Sequence, residues 1–285
     1  MKANRHSCIG IVCVALLLAS PVLAERELYV RYSFAAQNVG AELLADAELR
    51  FMAPLPAGVY QELQWVKVNL PNDDRSTPGQ GVVAVHPPPW PPLQTHLVHV
   101  EAVLRMHEQP RDGVSPLNPL YLEPTPLIES DDFDILWLAA TLIGATPTET
   151  ARNMHRWVRR NVTYSASWRG ETGARYTLEH RVGDCTELAR LFAALCRAAG
   201  MPARVLEGFI CHGNRTLRPT ELHNWVEYHD GSAWHVVDLL QADFNVDPAA
   251  YLVMSVWGGS LTVPEHAFHR FWSNHEDISM RMIAE

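Results

Sequence analysis

Gly183-Asp184-Cys185-Thr186-Glu187-Leu188-Ala189 decides how this chain is read. Asp184 is a good helix cap, and Glu187 stands three positions later to complete a capping box. Leu188, Leu191, Phe192, Leu195 and Ala199 follow at core-facing spacing. Gly200 suits the left-handed end of the helix, and Pro202 prevents its continuation. The segment therefore predicts a helix that begins at a thiol. Amide hydrogens at a helix start are unpaired, and the dipole is positive there, so Cys185 occupies a place that favours a thiolate.

Outward from that helix, Arg204 to Cys211 reads as a strand. Leu222 to Tyr228 and Trp234 to Leu240 read as two more. Asp230-Gly231 between the last two is a hairpin signal. A two-residue loop there sets His223 directly opposite Asp238 on one face of the sheet. A thiol, a histidine and an acid then stand in workable order as nucleophile, base and orienter of the base. Asp184 and Glu187 oppose a thiolate by their charge, so the arrangement requires them to point outward. The backbone N–H of Cys185 is a natural oxyanion donor. Trp168 or Tyr164 offers a second donor, or else walls the cleft. Trp225, two residues from His223, shapes the cleft or packs beneath the ring.

Upstream, Ser130 to Gly144 carries an apolar helical stripe, and Thr146-Pro147-Thr148-Glu149 starts another helix with Met154, Trp157 and Val158 inward. Glu25 to about Met106 is β in character. Leu28, Val30, Tyr32 and Phe34 alternate with other residues, as do Val98, Val100, Ala102, Leu104 and Met106. Leu63 to Leu70 and Val82 to Val85 are shorter strands between turn-forming stretches, including Pro78-Gly79-Gln80-Gly81. Pro87 to Pro92 is a stiff surface loop or a polyproline recognition segment, since proline cannot serve a central strand. Four units result: residues 1–24 a secretory signal, 25–108 a small all-β sandwich, 109–129 a Pro-rich connector, and 130–285 the catalytic domain. His266, His269, Trp272 and His275 are spaced like one helical stripe of packing or interface residues.

The signal reading rests on Lys2 and Arg5, the apolar run Ile9 to Leu18, and small residues before Glu25. It implies a periplasmic or secreted protein without stable membrane insertion after cleavage. The 285-residue chain has a formal charge of −9. Loss of the signal leaves 21 basic against 32 acidic residues, a net of −11. That balance argues against nucleic acid as the main partner. Of five cysteines, Cys8 and Cys13 leave with the signal. Cys196 and Cys211 either pair, leaving Cys185 free, or are buried small hydrophobes. His180, Cys185, Cys211, His212 and His223 lack the C-x-x-C or helical H-x-x-x-H spacing of a metal set, and no cofactor motif is present. His229 and His235 lie on the hairpin away from the triad.

The segments Gly183 to Ala189, Cys196 to Arg204, His223-Asn224-Trp225-Val226-Glu227 and Val237-Asp238 resemble the transglutaminase-like core over about residues 130–245. The resemblance implies a papain-like α+β fold, with helices packed on an antiparallel sheet. It also implies Cys185 as nucleophile, His223 as base and Asp238 as third member. The β-rich N-terminal half is similar to the leader domain of many bacterial members. The superfamily spans crosslinking enzymes, peptidases, glycopeptide amidases and inactive relatives. The calcium-dependent crosslinking branch has further domains and calcium sites without a recognisable counterpart here. The expected function is thiol-dependent cleavage of amide bonds in peptides or proteins through a thioester, with hydrolysis favoured. Acyl transfer and a catalytically idle peptide-binding scaffold are the alternatives.

Overall fold

The computed structural model describes residues 25–74, 81–111, 113, 118–166, 172–242, 244, 246–257 and 270–284. The expected signal, the Pro78-Gly79-Gln80 turn, Trp168, His266 and His269 lie outside these residues.

The N-terminal strands are β1 (Glu25–Asn38), β2 (Leu49–Met52), β3 (Gln61–Val68), β4 (Asn72–Asp74), β5 (Val82–Val85) and β6 (Thr95–His107). The alternation expected in β1 and β6 sorts their faces. Leu28, Val30, Tyr32 and Phe34 meet Val98, Val100, Ala102 and Leu104 in one apolar core. β1 and β6 pair antiparallel from Glu25↔His107 to Gln37↔Thr95. A second sheet, built on β2 and β5, closes this core from the other side. Phe34 packs on Phe51 with ring centroids 4.5 Å apart, and the Tyr32 hydroxyl donates to the Met52 carbonyl at 2.9 Å. In the Pro87 to Pro92 loop the Trp90 ring is fully buried, and its Nε1 donates to Gln94 O at 2.9 Å. That packing occupies the aromatic side chain a recognition segment would present.

The second half contains α1 (Phe133–Thr141), α2 (Pro147–Asn161), β7 (Thr163–Tyr164), α3 (Ala174–His180), β8 (Val182–Gly183), α4 (Cys185–Ala198), β9 (Ala203–Ile210), β10 (Arg215–Thr216), β11 (His223–His229), β12 (Trp234–Val237) and β13 (Tyr251–Trp257). The chain ends with β14 (Phe271–Ser273) and β15 (Ile278–Ile283). The antiparallel sheet β12-β11-β9-β13 carries α4 on one face. The architecture is therefore mixed α+β, with strands preceding the helical core.

α4 is buried almost all round. Its apolar stripe meets Val205, Val226 and Tyr228 of the sheet, while α1, α2 and α3 cover its other sides. Even Arg190 and Arg197 are buried. Arg197 satisfies itself on backbone, donating to Ala203 O at 2.9 Å and to Glu123 O at 2.6 Å. Periodicity predicts one buried face here; enclosure by three helices and a sheet buries the rest.

Sequence-distant strands join the two halves. β15 pairs antiparallel with β1, β14 pairs with β2, and β10 adds to β1 in parallel. The C-terminal strands thus belong to the sheets of the N-terminal half, although the expected catalytic unit ran to residue 285. Trp272 lies in a strand, not on a helix, and it packs under Arg50 at 4.6 Å. His275 instead contacts Asp46 at 3.1 Å. Gln61 clips the halves together. Its Nε2 donates to Leu55 O and Val253 O at 2.7 and 3.0 Å, and its Oε1 accepts from Val253 N at 2.7 Å. Buried bonds of this kind contribute about 1 kcal/mol each, and leaving their backbone partners unmade would cost more.

Candidate active site

The start of α4 forms as its sequence demands. Asp184 accepts from Thr186 N at 2.8 Å, and Glu187 Oε2 accepts from Asp184 N at 3.1 Å. Gly183 makes room for this cap, because a Cβ there would stand 2.4 Å from the Glu187 Cβ. Cys185 is the first helical residue and is half-buried. Glu187 does not point outward. It is buried, where it also accepts from Thr172 N at 3.4 Å and lies 3.8 Å from Arg190. Burial and the neighbouring Asp184 carboxylate push its pKa up, which reduces the negative charge beside the thiol.

His223 opens β11 and is 9% exposed. Its Nε2 lies 2.9 Å from Asp238 Oδ2. The register that brings them together is not the expected one. Val226 pairs with Val237 and His229 with Trp234, two positions away from the pairing a two-residue loop would impose. The reason lies in the turn. Asp230 Oδ1 accepts from Ser232 N, Ser232 Oγ and Ala233 N at 2.8, 2.7 and 3.0 Å, holding Ser232 and Ala233 in a longer loop. A shift of two preserves the face of every side chain. His223 therefore meets Asp238 diagonally, and the imidazole is long enough to reach.

Asp238 is buried and fully partnered. Oδ2 also accepts from the Tyr251 hydroxyl at 3.0 Å, and Oδ1 accepts from Leu240 N at 2.9 Å. Burial alone would raise its pKa, but His223 and these donors hold it below the usual carboxylate range. Burial likewise opposes a charged His223 ring. The hydrogen bond and charge of Asp238, together with Cys185, outweigh it and raise the ring to about 9. Asp238 occupies Nε2, which leaves Nδ1 as the ring nitrogen that does not face the carboxylate.

Asn224 ties the helix of Cys185 to the strand of His223. Its Oδ1 accepts from Thr186 Oγ1 at 3.0 Å and lies 3.9 Å from Cys185 Sγ, while its Nδ2 donates to Leu206 O at 3.2 Å. Trp225 packs beneath the histidine, with ring centroids 6.2 Å apart, and edge-on to Tyr251 at 5.1 Å. Gly208 permits this layer. A Cβ there would lie 1.9 Å from Leu252 O and 2.9 Å from the Trp225 ring. Tyr164 stands beside the thiol because β7 pairs with β8, and Cys185 and Asp184 contribute to raising its pKa after burial. Its side chain is about half exposed.

Tyr251, Asn224 and Glu207 escape local sequence patterns. Tyr251 reaches Asp238 from β13, two strands from β11 in the sheet. Asn224 is visible only as a neighbour of His223. Glu207 is directly paired with both Asn224 and Ser255 across the sheet, is 5% exposed, and is raised by burial to about 7. A polar residue in a strand that otherwise reads as core was the available signal for it.

Cys196 and Cys211 are both free and lie in different cores. Burial pushes both thiols up, Cys211 to about 12, so neither competes as a nucleophile. His235 contacts Asp230 at 2.8 Å and His229 accepts from Gly231 N, both within the hairpin turn. Among the described residues, no group of three metal-ligating side chains forms. Among the same residues, no helix is long and apolar enough to cross a membrane.

Comparison with known proteins agrees with this architecture. No curated protein sequence matches the chain. A candidate cysteine protease from Cytophaga hutchinsonii has a similar structure, with a TM-score of 0.61, 17% identity and coverage of 91% of each chain. The periplasmic domain of TgpA from Pseudomonas aeruginosa aligns at a TM-score of 0.37 and 17% identity, over 73% of this chain and 87% of that one. The family model for the transglutaminase-like superfamily matches residues 139–239, a span that holds Cys185, His223 and Asp238. The chain thus carries a core domain of the transglutaminase-like superfamily at residues 139–239.

Proposed function

We propose that this protein is a thiol-dependent hydrolase of amide bonds in peptides or proteins, working through Cys185, His223 and Asp238. One observation carries the reading: a buried imidazole held at Nε2 by an ionised carboxylate, with Cys185 acting on the same ring. In this scheme Nδ1 takes the proton from Cys185 Sγ, and the thiolate attacks the amide carbonyl. The Cys185 backbone N–H at the start of α4 stabilises the oxyanion. His223 then returns the proton to the leaving amine. The remaining thioester is cleaved by water, with His223 as base. Asp238 holds the ring's tautomer and favours its charged form.

Hydrolysis is preferred to acyl transfer because Cys185 is only half-buried and its neighbour Tyr164 is exposed, so water reaches the thioester. The protein of similar fold from Cytophaga hutchinsonii carries a cysteine-protease description. The basic and apolar composition of residues 1–24 supports action in the periplasm or outside the cell.

The test has two parts. Iodoacetamide should alkylate Cys185 rapidly in a manner lost with His223→Ala; a slow, His223-independent thiol would remove the catalytic reading and leave an idle scaffold. Incubation with a peptide library and a primary amine, followed by mass spectrometry, should yield cleaved or deamidated products without added amine. Amine-bearing products would instead establish transfer.

A further inference from the structure

The chain is acidic overall, yet one cavity of about 700 Å³ is lined by Arg152, His155, Arg156, Arg159, Arg160 and Phe244. Four arginines in one cavity carry a cost. Arg152, Arg156 and Arg160 repeat at four-residue spacing on α2, and like charges so placed destabilise a helix. The helix dipole accounts for Arg159 and Arg160 in the last turn, but not for Arg152 and Arg156 in the middle. Among the described residues, no acidic side chain lies within ion-pair distance of any of the four.

The walls are built and not merely crowded. Arg152 lies 5.4 Å over the Phe244 ring, and His155 packs edge-on to the same ring at 5.5 Å. Arg159 Nη1 donates to Leu239 O at 2.8 Å, which fixes its direction. His155 is buried and contacts Asp238 O at 3.4 Å. Arg156 and Arg160 are exposed. Guanidinium groups present paired N–H donors that match phosphate oxygens. From residue 152 to 160 the helix rises about 12 Å, more than one phosphate group spans. The volume falls within the range of ligand sites, roughly 300–1,000 Å³.

We infer that this cavity is a binding site for a ligand carrying two or more phosphate groups, separate from the thiol cleft. Both a soluble oligophosphate and clustered lipid phosphate headgroups offer that chemistry.

The full chain would be titrated calorimetrically with tripolyphosphate at constant ionic strength, beside the Arg156→Gln/Arg160→Gln variant. Both side chains are exposed, and unchanged Cys185 alkylation would serve as the fold control. Saturable binding is expected, weakened about tenfold per arginine removed, hence roughly 100-fold in the double variant. Flotation with phosphatidylglycerol vesicles, against phosphatidylcholine vesicles, separates the sources. Vesicle binding competed by tripolyphosphate assigns a lipid headgroup, and tripolyphosphate binding without vesicle capture assigns a soluble ligand. Absent tripolyphosphate binding, equal affinity in the double variant, or vesicle capture that tripolyphosphate fails to displace would each overturn the inference.

Discussion

Replacing Asp238 by asparagine tests the centre of the proposed chemistry, because it removes one charge and keeps the shape. The amide oxygen can still accept from Leu240 N, and the amide nitrogen then faces the Tyr251 hydroxyl, whose oxygen can accept, so the local fold has reason to survive. His223 stands at about 9, against an ordinary value of 6.5. Returning it to 6.5 lowers the ring's proton affinity by a factor of about 300, or ~3.4 kcal/mol. Burial, the largest opposing influence, would then be resisted by Cys185 alone. The equilibrium between thiol–imidazole and thiolate–imidazolium depends directly on that affinity, so the ion pair should weaken by up to the same factor. The assay is the rate of Cys185 alkylation by iodoacetamide across the pH range, read by peptide mapping. Cys196 and Cys211 are fully buried and should not interfere. Wild-type reactivity should extend to lower pH than that of the variant. In Asp238→Asn the reactive limb should move up toward the ordinary thiol range near 8.5, with the rate at neutral pH falling about 30-fold or more. Superimposable profiles for the two proteins would refute the claim that Asp238 sustains a charged His223.

Tyr251→Phe removes one donor from a charged acceptor, a loss of about 1.5–3 kcal/mol, so thermal denaturation should shift down by several degrees while Cys185 alkylation changes less than tenfold; an unchanged melting temperature would contradict the bond. Gly208→Ala drives a Cβ to 1.9 Å from Leu252 O and must part β9 from β13. A loss of about 3 kcal/mol or more is expected, read as a melting temperature at least ~6 °C lower, and a drop under 2 °C would disprove the close approach. Glu207 titrates near 7 in the fold against 4.5 ordinarily, so its contribution is fully present below about pH 4.5 and is lost as pH rises through 7. Glu207→Gln should therefore gain stability relative to wild type between pH 5 and 8, by up to about 3 kcal/mol in chemical denaturation, and a pH-independent difference would show the carboxyl to be well solvated.

What the sequence could say by itself was local. The capping box at Asp184 and Glu187, the thiol that follows it, and the alternation in β1 and β6 each depend on residues two to four positions apart. Such spacings are set by backbone geometry, so they read correctly without knowledge of the fold. The order of Cys185, His223 and Asp238 was legible for the same reason, since each sits at the edge of a locally defined element. Tertiary structure decided what those spacings leave open. The hairpin register followed from three hydrogen bonds to Asp230, and only a shift of an even number of residues kept His223 and Asp238 on one face. Tyr251 reaches Asp238 from two strands away, Glu207 lies on β9 opposite Asn224, and β14 and β15 return to the N-terminal sheets across more than 170 residues of sequence. Pairings over such distances depend on closing the whole chain around shared cores, and no pattern within a strand or helix records which distant edge it will meet.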